Sequence, residues 1–272
     1  MELIQLIGRA LSLRWWGALA FAPHPTWRRV LTVLRTSSSP GIPPWRWAVD
    51  ASPLRVDSLP VQGRLGDCWI IAPLLAIALH SPSFIASGLR ELPDGRVQVR
   101  LFDRGAPIAV TVDRAMPVLE STGSWPDDRW RLARTSHGQP GWAGVIESAV
   151  ARRLAGSYRG IERGLATFGI PLLTGIPSRL YLLRFPSAAR IQSLVEAGHV
   201  VVASTHPLSG HVLVDSQPLP ANHVMAVVGA EEKTGDVWLR NPWRPERILR
   251  LSRSQFRLGF LSMDVSVRPL PR

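Results

Sequence analysis

The apolar run at positions 68–79, CWIIAPLLAIAL, is the feature that most constrains how this chain can fold. An amphipathic surface helix keeps one polar face, and this run has none. It reads as a helix buried on all sides, so other elements must enclose it. Gly66 and Asp67 precede the run, and Asp67 is a candidate helix cap. The helix then begins at Cys68. Pro73 falls in or near its first turns, where a missing amide is better tolerated than deeper in.

The segments on either side give a mixed architecture. Residues 1–22 are apolar and aromatic, interrupted by Arg9 and Arg14. Glu2 stands where a secretory signal would carry positive charge. This segment reads as an N-terminal helix packed on the body or on a partner, with a membrane-surface helix as the alternative. Residues 36–46, TSSSPGIPPWR, form a Ser/Pro-rich linker, and the main domain is expected over 46–272. RVQVRLF (96–102) and PIAVTVD (107–113), separated by DRGA, predict a hairpin. GWAGVIESAVARRLAG (141–156) has apolar residues at helical spacing and ends at Gly156. After residue 180 the chain turns to short β segments: HVVVAST, NHVMAVVGA and DVWLRNPW. The order predicts an α+β fold, with a mostly helical first lobe (about 46–180) and a β-rich second lobe (about 181–272).

Composition narrows the function classes. With 46% hydrophobic and 19% charged residues among 272, the chain can bury a substantial core. The net charge of +12 is carried almost wholly by arginine, Lys233 being the one lysine. The arginines form no dense tract, which reads as a solvated basic surface and not as a specific nucleic-acid site. No stretch is long and apolar enough for an integral membrane segment. A single cysteine excludes an internal disulfide and suits a reducing, cytoplasmic setting.

That cysteine stands in a suggestive place. A thiol reacts as thiolate, and the unpaired amides at a helix N-terminus favour the anion. Cys68 sits at such a terminus, and Gln62 lies six residues earlier in QGRLGDCW. A side-chain amide near a nucleophile can donate to the oxyanion of a tetrahedral intermediate. A general base must then come from seven histidines. His24, His80, His137, His199 and His206 fall in contexts better suited to solvated or packed roles. His211 opens the β-like run HVLVD, and His223 opens the strand NHVMAVVGA. The next strand ends at Asn241, and a short turn at EEKTGD would place Asn241 beside His223. An asparagine carbonyl there can orient the imidazole, and Trp243 can shield the bond.

These strings resemble the calpain family of cysteine peptidases. QGRLGDCW is similar to the calpain nucleophile motif. NHVMAVVGA and WLRNPW resemble the His and Asn motifs that calpains share with papain. GWAGVIESAVARRLAGSYRGI, RVQVRLFDRGAPIAVTVDRAMP and LSRSQFRLGFLSMDVSV resemble further segments of the calpain core, all in collinear order over about residues 45–265. The resemblance implies a papain-like two-lobe fold and an endopeptidase that cleaves protein or peptide substrates through an acyl-enzyme thioester. In it Cys68 is the nucleophile, His223 the base and acid, Asn241 the orienting residue, Gln62 the oxyanion donor and Trp243 the shield; His211 has no counterpart. The same machinery also serves acyltransferases and glutamine deamidases, and a non-catalytic binding module can keep such a fold. No cofactor is implied. Calpain cores hold calcium, and Glu147 matches one acid of the site beside the nucleophile loop. Leu59 stands where the second acid belongs, with Asp57 two residues out of register. The segment matching the second site, RPERILRLSRSQF, is strongly basic. The expectation is therefore a calcium-independent enzyme with no metal ligands.

Overall fold

The computed structural model describes residues 45–119, 132–154 and 156–271. The expected N-terminal helix and most of the linker lie outside them. The end of the expected linker is ordered differently: Trp45–Val49 is a strand, paired antiparallel with Ala115–Leu119. The sequence WRWAV consists largely of aromatic and β-branched residues, which suits a pleated strand better than a linker.

Helix α1, Cys68–His80, is the centre of the molecule, and every residue from Cys68 to Ile77 is buried. Pro73 lies inside it. Proline has no amide to return to the carbonyl four residues back, so the Trp69 oxygen is left without its helical partner. Helix α3, Ala166–Thr174, packs on that spot through Gly169, where an added Cβ would sit 2.0 Å from the Trp69 oxygen. A glycine is required there because the approach is that close. The Trp69 indole donates to the Ile161 carbonyl at 2.7 Å, holding the next turn of chain against α1. Helix α2, Gly141–Leu154, packs into the same core through Trp142, Val145 and Ile146. The expected hairpin forms strands β1 (Val97–Asp103) and β2 (Ala106–Val112), antiparallel throughout.

The second part of the chain builds a six-stranded sheet. Its strands are β3 (Ser178–Leu182), β4 (Val201–Thr205), β5 (Val224–Ala230), β6 (Val237–Asn241), β7 (Arg244–Leu251) and β8 (Phe260–Ser266). Their order is β7-β6-β5-β4-β8-β3, with all neighbours antiparallel. Alternation along β4 and β5 divides the residues between two faces. Val202, Val224 and Ala226 join the α1 core that contains Cys68. Val201, Ala203, Met225 and Val227 face the other way, with Ile191 and Leu194 of helix α4 (Ala188–Glu196). The sheet is thus packed directly onto the helix that begins at Cys68. Among the described residues no helix is long and apolar enough to cross a membrane.

Candidate active site

The structure brings Cys68, His223, Asn241, Trp243 and Gln62 into one neighbourhood. His223 immediately precedes β5 and is 3% exposed. Its backbone amide donates to the Thr205 hydroxyl at 2.9 Å, and Thr205 Oγ1 donates on to the Pro220 carbonyl at 2.7 Å. These bonds tie the histidine to β4. The pairing of β5 with β6 then places His223 Nε2 at 2.9 Å from Asn241 Oδ1. Asn241 Oδ1 also accepts from the Trp243 amide at 3.0 Å, which identifies it as the oxygen. The imidazole must therefore donate through Nε2, leaving Nδ1 as the basic nitrogen of a neutral ring. Trp243 stacks on the imidazole with centroids 4.0 Å apart and planes 29° apart. The indole is nearly half exposed, so it covers one face of the histidine and not the whole site.

Cys68 is 8% exposed and packs beside Val224, the residue after His223. The Val224 amide faces the thiol. The helix terminus was expected to favour thiolate, and burial outweighs it: desolvation pushes the thiol up to about 12, the Val224 amide opposing and the adjacent Asp67 reinforcing. Burial likewise pushes His223 down to about 4, with the Asn241 bond working against it. Both directions favour a neutral thiol and a neutral imidazole.

Gln62 is buried and is held at two points. Its backbone amide donates to the Pro242 carbonyl at 2.8 Å, joining the loop before Cys68 to the Asn-Pro-Trp turn. Its side-chain amide donates to the Leu65 carbonyl at 2.7 Å. His211 lies apart, exposed, with Nδ1 against the Leu208 carbonyl and its ring beside His206. Asp67 caps α1 with its backbone carbonyl, to the Ile70 amide at 2.8 Å, but its side chain makes no capping bond and turns inward to Glu147. Sequence reasoning missed this contact, and it missed Thr205, whose position in HVVVAST carries no local signal.

A model of the family "Calpain family cysteine protease" matches residues 41–248, and the chain belongs to that family. It is 26% identical over 198 residues to the calpain-2 catalytic subunit of Rattus norvegicus, covering 67% of this chain and 27% of that protein. It is 28% identical over 200 residues to the calpain-type cysteine protease ADL1 of Oryza sativa subsp. japonica, covering 68% of this chain and 9% of that protein. It is 28% identical over 235 residues to the calpain-type cysteine protease DEK1 of Arabidopsis thaliana, covering 81% and 10%. The chain thus spans about a quarter or less of the length of these relatives. The members of this family are described as cysteine proteases.

The calcium that calpain cores carry does not fit the residues present. Glu147 is fully buried, and both its oxygens accept from the Ala133 amide at 3.0 Å. Asp57 is at the surface, 3.8 Å from Arg55 and from His137. On β7, Arg247 and Arg250 pair with Asp215 and Asp236, each at 2.7 Å. Among the described residues no three His, Cys, Asp or Glu side chains gather in one place.

Proposed function

We infer that the protein is a cysteine endopeptidase with Cys68 as nucleophile, His223 as base and acid, and Asn241 orienting His223. The observation that carries this reading is the fixed imidazole: Asn241 holds the proton on Nε2 and frees Nδ1, while the Val224 amide brings the adjacent thiol to the same place. Substrate binding between a helical and a β-rich lobe, as in the papain-like arrangement, sets the scissile carbonyl over the sulfur. Nδ1 takes the thiol proton as sulfur attacks the carbonyl carbon, giving a tetrahedral oxyanion that the Gln62 amide stabilises. The imidazolium then returns the proton to the leaving amine, and an acyl-enzyme thioester remains. Water, deprotonated by the same nitrogen, hydrolyses it and regenerates the thiol. No step uses calcium.

The test is casein or peptide cleavage by the purified chain. Cys68→Ser and His223→Ala should keep the fold and lose activity by several orders of magnitude, while His211→Ala should retain most of it. Hydrolysis persisting in a clean Cys68→Ser preparation would overturn the assignment.

A further inference from the structure

Beneath the nucleophile loop lie two carboxyl groups that the reaction above does not use. Asp67 and Glu147 are both fully buried. Glu147, on α2, is fixed by the Ala133 amide, and the Asp67 carboxyl faces it. Both Asp67 oxygens and Gln62 Oε1 are buried without a partner in full hydrogen-bonding geometry among the described residues, and the groups facing the Asp67 carboxyl are the Glu147 and Gln62 side chains. Ionised carboxyls only accept, so a bond between the two requires a proton. Among the described residues, the named ionisable influences on the pair are Glu162 on Asp67, Tyr158 beside Glu147, and the Cys68 thiol, and both carboxyls are displaced upward on balance. Burial of two adjacent anions without a cation costs far more than burial of one. Burial accordingly pushes Asp67 up to about 6 and, with Asp67 adding to it, Glu147 well above the ordinary glutamate range.

Asp67 stands between Gly66 and Cys68, and its carboxyl also lies against the Gln62 side chain. A single bond from Glu147 therefore reaches both the residue before the nucleophile and the oxyanion donor. Full ionisation of the pair would add a second negative charge beside the sulfur, where Asp67 already opposes the thiolate. We propose that Glu147 is a positioning residue: through a proton shared with Asp67 it fixes the Gly66–Cys68 turn and holds Gln62 ready for the oxyanion. The proposal rests on the peptidase reading for its effect on rate, while the shared proton itself can be observed without catalysis.

Glu147→Gln keeps the side-chain length and supplies a permanent donor to Asp67. Glu147→Ala removes the donor, and Asp67→Ala removes its acceptor should the first alanine variant fail to fold. Loss of one oxyanion donor typically costs about a hundredfold to a thousandfold in kcat. The alanine variants should lose about a hundredfold in kcat with KM little changed, and Glu147→Gln should stay within about threefold of wild type. The alkaline limb of the kcat profile should move upward in Glu147→Gln, because the variant cannot lose the shared proton. Infrared difference spectra at neutral to mildly alkaline pH should show a protonated-carboxyl band in the wild type that Glu147→Gln lacks. A wild type without that band, or a glutamine variant as impaired as the alanine ones, would overturn the proposal. Absence of hydrolysis by the wild type, with the band present, would instead count against the peptidase reading alone.

Discussion

Alkylation of Cys68 by iodoacetamide measures how the site stores its proton. Burial raises the thiol from 9.0 to about 12 and lowers the imidazole from 6.5 to about 4. Taken alone, these values leave the proton on sulfur by a factor of about 10⁸, or roughly 11 kcal/mol. A thiolate and an imidazolium brought into contact, at about 4 Å and an effective dielectric of about 20, would return roughly 4 kcal/mol, near a thousandfold. The ion pair is then about one molecule in 10⁵, and direct ionisation at pH ~7 gives a similar fraction. A free thiol titrating at 9.0 is about one part in a hundred thiolate at that pH. Labelling of the folded protein should therefore be about a thousandfold slower than that of free cysteine, at a single site. The rate should keep rising with pH well past the range where free thiols saturate. Mass spectrometry of quenched aliquots across a pH series gives both quantities. A rate at or above that of free cysteine, flat from mildly acidic to mildly alkaline pH, would show a preformed ion pair and refute the electrostatic argument.

Other outcomes follow from different parts of the molecule. Peptidase activity should survive EGTA with no calcium-dependent rise in melting temperature; activity silent in EGTA and restored by micromolar calcium would refute the metal-free reading. Gly169→Ala drives a Cβ into the Trp69 carbonyl, so it should cost at least about 1–3 kcal/mol, read as a lower denaturation midpoint; an unchanged midpoint would show that α3 can move aside. Asp264, buried on β8 near Thr167, is raised by burial from 3.8 to about 7. Its folded value lies above the unfolded one, so its contribution is complete below about pH 4 and is lost as pH rises through about 7. Asp264→Asn cannot ionise, and its melting temperature should gain on the wild type's across that window; parallel curves would refute the shift.

Much of the site is legible in the sequence because its signals are local. The uniformly apolar run after Cys68 announces a buried helix, and two short strands joined by a turn bring His223 to Asn241. The hairpin at Val97–Val112 is legible for the same reason. What sequence does not convey depends on distant partners. Asp67 before an apolar run looks like any cap until Glu147 on another helix is placed under it. The thiol's rise is not legible either, because the helix terminus is local while the burying residues, Val224 among them, come from the sheet. The strand order is also hidden: β8, the last strand in the chain, inserts between β4 and β3 through registers that no local pattern encodes.

The hydrogen bond from the Gln62 amide to the Pro242 carbonyl joins the two ends of the chemistry. Pro242 lies between Asn241, which is bonded to the His223 imidazole, and Trp243, which stacks on it, while Gln62 begins the loop that ends at the Cys68 sulfur. A rigid-body displacement of the Asn-Pro-Trp turn away from the Gln62–Cys68 loop breaks this bond, and restoring it re-registers Gln62 together with His223. On the proposed assignment, readiness for catalysis is then close to binary. A binding event that draws these segments together recovers the arrangement of His223, Cys68 and Gln62 at once, and a protein that binds either segment and holds it apart separates all three.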